Sequence, residues 1–120
     1  MSTRSITRVI ENGRTVDIYH HHDGYPEGVG AHLLEVFKTT QATADDFVRA
    51  LFKSDGEYEV TFARWWDVEY LYIIDFDEWP NVVKFARVKL PDTEPDYVLR
   101  DAAEGFADLK KYLATHKEEV

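Results

Sequence analysis

The chain has 120 residues, no cysteine, 44% hydrophobic and 14% aromatic side chains, and 14 basic against 23 acidic groups, for a net charge of −9. That composition excludes disulfides, iron–sulfur clusters and thiolate zinc sites, and disfavours direct binding to nucleic acid because a phosphate backbone repels a net negative domain. No apolar run reaches the length of a membrane span, and Met1-Ser2-Thr3-Arg4-Ser5 lacks the apolar stretch of a secretory signal. The expectation is one α+β domain over 1–120, in the cytoplasm, with material for a single core.

Residues 5–10 read as a strand, with Ile6, Arg8 and Ile10 on one face and Thr7 and Val9 on the other. Glu11-Asn12-Gly13-Arg14 follows, and Asn-Gly is a strong signal for a two-residue hairpin turn. Residues 15–20 then return as a second strand, with Val16, Ile18 and His20 sharing a face.

That hairpin delivers the most constrained stretch of the chain, residues 19–30, which hold three of the six glycines, one of the four prolines and three of the five histidines. Asp23-Gly24 predicts a tight turn with positive φ at the glycine. Pro26 fixes its own φ and drives Tyr25 toward extended geometry. A helix over about 29–39 follows, with Val29, Leu33, Val36 and Phe37 at helical spacing.

Thr43 is positioned to cap a second helix, with Asp46 three residues on and Phe47, Val48, Leu51 and Phe52 as its apolar stripe; Ser54-Asp55-Gly56 ends it. Tyr58, Val60 and Phe62 alternate with Glu59, Thr61 and Ala63 as a half-buried strand, and Trp65-Trp66-Asp67 connects onward. Residues 69–76 are apolar or aromatic at nearly every position, which predicts a strand covered on both faces. After the acidic turn 75–81, residues 82–90 form a further strand. A last helix runs from a cap at Thr93, its stripe Val98, Ala102, Phe106, Leu109 and Leu113. The order ββααβββα predicts one antiparallel sheet of about five strands with helices packed on one face.

Thr3-Arg4-Ser5 ahead of a strand, then Tyr19, then Asp23-Gly24-Tyr25-Pro26-Glu27-Gly28-Val29-Gly30 and Leu33, resemble a family of small uncharacterised proteins of bacteriophages and mobile elements. The resemblance covers about the first third of the chain. It implies a phage-type context in a host cytoplasm, where proteins of this size commonly act as inhibitors of host machinery; by analogy that includes defence systems of the anti-CRISPR kind. Many related sequences have an aromatic residue where this chain has His22.

Four groupings carry candidate chemistry. His20 and His22 lie two apart and, with Asp23 or His32, are of the type that holds zinc; the competing reading is a polar strand end whose imidazoles bond to loop carbonyls. Gly24, Gly28 and Gly30 can expose amides to an anion, but their spacing is neither that of a P-loop nor that of a dinucleotide fingerprint. Trp65, Trp66 and Trp79 flank connections, where an exposed indole beside acids serves an interface and a buried one caps the core. Asp75, Asp77 and Glu78 lack the spacing of a calcium loop.

The preferred reading is a non-catalytic acidic binding protein without a cofactor. It engages a host protein with a basic surface through Tyr19, His20, His22, Asp23, Tyr25, Glu27, Trp65 and Trp66, with no membrane role. The rival is a small metal- or anion-binding enzyme, or a nucleotide-sequestering protein, built on His20, His22, Asp23 and the glycine loop. A homodimer module, joined through the final strand or a tryptophan surface, is a third reading.

Overall fold

A computed structural model describes residues 3–40, 43–62, 68–78, 83–87 and 107–117. Strands β1 (Ser5–Glu11) and β2 (Arg14–His20) form the hairpin, and a π-helical turn (Pro26–Gly30) runs into α1 (Ala31–Thr39). Then come α2 (Ala44–Ser54), β3 (Tyr58–Thr61), β4 (Tyr70–Asp75), β5 (Val83–Arg87), a short β6 (Ala107–Asp108) and α3 (Leu109–Lys117). The strands make a single sheet in the order β3-β2-β1-β4-β5-β6.

Local chemistry sets most of these elements. Asn12 and Gly13 take φ of 56° and 72°, the left-handed pair that closes a two-residue hairpin, and Glu11 accordingly pairs with Arg14. Asp77, in the turn after β4, accepts the Asn12 and Gly13 amides on its two carboxylate oxygens at 2.7 and 2.8 Å, tying that tip to a distant turn. Thr43 caps α2 by accepting the Asp46 amide at 3.1 Å. The Glu11 carboxylate accepts the Ala44 amide at 3.2 Å, placing a negative charge at the positive end of the helix dipole.

The fold is α+β, as expected, with two differences. The sheet is mixed: β1 pairs in parallel with β4, and the other pairings are antiparallel. After the two helices, β3 pairs antiparallel to β2 at one edge. The chain then passes to the far side of β1, where β4 runs parallel to it; the Glu69 amide donates to the Arg4 carbonyl and the Phe76 amide to the Ile10 carbonyl at the two ends of that pair. The second difference is the last helix, expected to run unbroken through Phe106 and Leu109. Ala107 and Asp108 instead pair with Phe85 and Lys84, and the helix begins at Leu109, where the Asp108 carboxylate accepts the Lys111 amide at 3.1 Å. Asp108 is a helix cap that periodicity passed over. The expected part of that helix over 93–106 lies outside the described residues.

Strand alternation divides the sheet into two faces. Val9, Ile18, Tyr72, Ile74, Val83 and Phe85 point to the helices and share one core with Leu33, Val36, Phe37, Phe47, Leu51 and Leu109. Phe37, Phe47 and Phe76 meet edge-on or tilted with centroids 5.9–6.3 Å apart, joining α1, α2 and the end of β4. Tyr112 packs edge-on against Phe85 at 4.8 Å and seats α3. On the opposite face Tyr19, Ile6, Leu71 and Ala86 stand side by side across β2, β1, β4 and β5, and all four are buried. The central strand is therefore covered on both sides, as its unbroken apolar run predicts. Beside that row Arg8 makes a two-pronged pair with Asp17, at 2.8 and 2.9 Å.

Candidate functional site

The 19–30 corner is half anchor and half surface. Gly24, Pro26, Val29 and Gly30 are buried, while His22, Asp23, Tyr25 and Glu27 are exposed. The anchor is made of backbone. The Gly24 amide donates to the Thr3 carbonyl at 2.8 Å, and the Gly24 carbonyl accepts the Tyr72 hydroxyl at 2.7 Å. A Cβ on Gly24 would stand 2.9 Å from Ser5 Cβ and from the Thr3 and Arg4 backbone, and one on Gly28 would stand 2.3 Å from the Asp23 carbonyl oxygen. Gly24 is thus required by close approach, and the positive φ expected of it falls on Asp23, at 53°. Thr3 and Ser5 lie against the loop, so the start of the chain and the glycine corner form one packed unit.

The exposed half projects from that anchor. Tyr25 is 39% exposed, and its hydroxyl donates to the Asp23 carboxylate at 3.2 Å. That bond, with the nearby negative charge, raises the Tyr25 phenol above its ordinary pKa and keeps it a neutral donor. Glu27 stands two residues away on the same exposed rim.

Tyr19 and His20, expected among the contact residues, are buried instead. Tyr19 belongs to the row on the second face, where its hydroxyl bonds to His21 Nδ1 at 2.9 Å and Arg4 Nε donates to the same nitrogen at 3.3 Å. His20 faces the helices at the end of β2, directly across from Tyr58 of β3. The Tyr58 ring lies 4.4 Å from the imidazole, and burial holds the Tyr58 phenol well above its ordinary pKa.

His20 meets acids that sequence spacing did not indicate. Its Nδ1 donates to the His22 carbonyl, and its Nε2 lies 2.9 Å from Asp55 Oδ2 and 3.8 Å from Glu57 Oε2. Asp55 is the residue at which α2 ends. Its other oxygen, Oδ1, accepts the Glu57 amide at 2.9 Å, so the turn out of α2 aims Oδ2 at the histidine. The His20 contact and the Glu57 amide together hold the Asp55 carboxyl below the usual carboxylate range. His22 Nε2 is 3.9 Å from Glu57 Oε1. Asp23 turns away toward Tyr25, and His32 bonds to the Ser54 hydroxyl at 2.7 Å and stacks on Tyr58. The one sequence signal for Asp55 and Glu57 was Asp55-Gly56 as a helix stop; nothing in it indicated His20.

The other candidate groupings resolve differently. The amides of Gly24, Gly28, Val29 and Gly30 donate to carbonyls of Thr3, Tyr25 and Asp23, so these four amides are engaged within the chain and do not form an anion cradle. Asp77 spends both carboxylate oxygens on the hairpin tip, and Glu78 pairs with Lys84 at 3.6 Å. Trp65, Trp66 and Trp79 lie outside the described residues. Val60 and Phe62, expected with Tyr58 on one face of a half-buried strand, are 47% and 93% exposed; β3 is the edge of the sheet, and of these three only Tyr58 is buried. No helix among the described residues is long and apolar enough to cross a membrane.

Comparison with known proteins adds no relative: no protein-family model, no curated protein and no solved structure matches the chain.

Proposed function

We propose that this chain is a non-catalytic, acidic binding protein that docks on a basic surface of a host protein through the exposed rim of the 19–30 corner, with Tyr25 as the central contact and Asp23, Glu27 and His22 around it. The observation that carries this reading is the division of the corner. Its backbone is fixed by buried contacts to Thr3, Ser5 and Tyr72, and its aromatic and acidic side chains stand outside. A rim that is already ordered avoids much of the entropy cost of binding. A tyrosine with few rotatable bonds is a favoured interface anchor. The net charge of −9 steers association toward a basic partner, including a protein that normally holds nucleic acid. The phage or mobile-element setting, and with it an anti-defence role, rests on the resemblance of the Asp-Gly-Tyr-Pro-Glu-Gly-Val-Gly loop.

The test is capture from a host lysate by wild type and by a Tyr25→Ala/Glu27→Ala variant, followed by association kinetics with the purified partner. A partner held by wild type and lost by the variant, with an association rate that falls steeply as salt rises, is the expected result. Equal recovery by both proteins removes the rim from the interface.

A further inference from the structure

We propose that His20, Asp55 and Glu57 form a binding site for a first-row divalent cation of the zinc type, set between the end of β2 and the turn that leaves α2. The proposal is independent of the docking reading.

One ligand atom from each of the three residues lies within 4.8 Å of the other two, a separation that a single ion can bridge with small side-chain adjustments. Two of the three ligands are held in orientation by bonds of their own. A carbonyl oxygen only accepts, so the contact between His20 Nδ1 and the His22 carbonyl places a hydrogen on Nδ1 and reserves Nε2 for whatever lies between it and the acids. Metal-binding histidines are characteristically fixed by such a bond from the remote ring nitrogen. Asp55 is fixed in the same way, with Oδ1 on the Glu57 amide and Oδ2 toward His20. The Tyr58 ring covers one side of the imidazole, which is 94% buried as a side chain; the Asp55 and Glu57 side chains, 36% and 52% exposed, leave an entry path.

Charge favours a divalent ion. A divalent cation held by Nε2 and one oxygen from each acid sets two positive charges against the Asp55 and Glu57 carboxylates, which balances. One imidazole nitrogen with two carboxylate oxygens suits zinc and its first-row neighbours. Magnesium and calcium favour all-oxygen shells, and copper(I) favours sulfur. Three protein ligands leave a coordination position for water.

The test uses tag-free protein stripped with a chelator and titrated with zinc chloride alone by calorimetry, with thermal melts alongside. Wild type is expected to bind one zinc per chain and to melt higher in excess zinc. Asp55→Asn and Glu57→Gln should each weaken binding at least tenfold while still melting cooperatively in chelator; Asp45→Asn, at the far end of α2, should bind as wild type does. These partly exposed carboxylates carry the test because replacing buried His20 risks the fold. His20 is read in wild type, where its Nε2 resonance should shift on adding zinc. Absence of saturable one-to-one binding, undiminished affinity in both carboxylate variants, or an unmoved His20 resonance would each overturn the proposal.

Discussion

The Tyr72 hydroxyl, in the middle of the sheet, donates a 2.7 Å hydrogen bond to the carbonyl of Gly24, a residue 48 positions earlier in the chain. Tyr72 is fully buried, and its phenol is held above its ordinary pKa chiefly by that burial, so it remains a donor at any working pH. Tyr72→Phe keeps the ring between Tyr70 and Phe85 and strips the carbonyl of this donor. The expected loss is about 1–3 kcal/mol. Urea unfolding with an unchanged slope would report it, and amide exchange over residues 22–30 should quicken more than elsewhere. A fully stable variant with an unaltered corner would show that the bond contributes nothing.

Close approach at the corner makes its glycines unequal to the others. Gly24→Ala and Gly28→Ala place a Cβ 2.9 and 2.3 Å from backbone or side-chain atoms that have little room to move, while Gly56→Ala meets nothing within 4 Å. The first two should each cost about 1–3 kcal/mol. The third should be neutral or stabilising by up to about 1 kcal/mol through the unfolded chain. Thermal melts of the three variants decide the matter, and a Gly24→Ala protein as stable as Gly56→Ala would contradict the packing described.

Thr7 is buried on the helix-facing side of the sheet between Ile18 and Tyr72, and its hydroxyl has no hydrogen-bond partner among the described residues. Valine has the same branched shape without the polar atom. Thr7→Val should therefore raise stability by about 1 kcal/mol, measured by denaturant midpoint at constant slope. A drop would mean that the hydroxyl is satisfied in solution.

Asp77 gives a pH dependence with a definite sign. Its carboxyl is held below the usual range by the Gly13 and Asn12 amides, so its folded-state pKa is lower than its unfolded one. Its contribution is then fully present above the unfolded value of about 3.9. It is lost as pH falls through the lower, folded value. Asp77→Asn should be less stable than wild type at neutral pH, and the two melting curves should converge in acid. A constant difference across the titration would exclude the carboxylate as the cause.

Arg8 and Asp17 meet through two parallel bonds on the second face, with side chains 22% and 12% exposed. Lysine cannot reproduce the fork. Arg8→Lys should lose about 1 kcal/mol, and the double variant Arg8→Met/Asp17→Leu should recover much of it, because breaking a half-buried pair costs more than replacing both partners with apolar groups. A double-mutant cycle measures the coupling.

The sequence by itself determined the elements whose cause is local. Asn12-Gly13 dictated the hairpin because few residues tolerate positive φ, Thr43 started α2 because its hydroxyl reaches the Asp46 amide, and the apolar run at 70–75 became a strand buried on both faces. It also marked the 19–30 corner as the most constrained stretch. Tertiary structure alone decided which side chains of that corner are buried and which are exposed. Pairing of β3 with β2, across two intervening helices, set Tyr58 beside His20 and brought the Asp55–Glu57 turn onto the imidazole; no spacing along the chain encodes a register between strands that far apart. The parallel join of β1 to β4 likewise carried Tyr72 under Gly24. Local backbone preference acts over a few residues, whereas burial and ligand geometry depend on which strands become neighbours, and only the folded sheet fixes that.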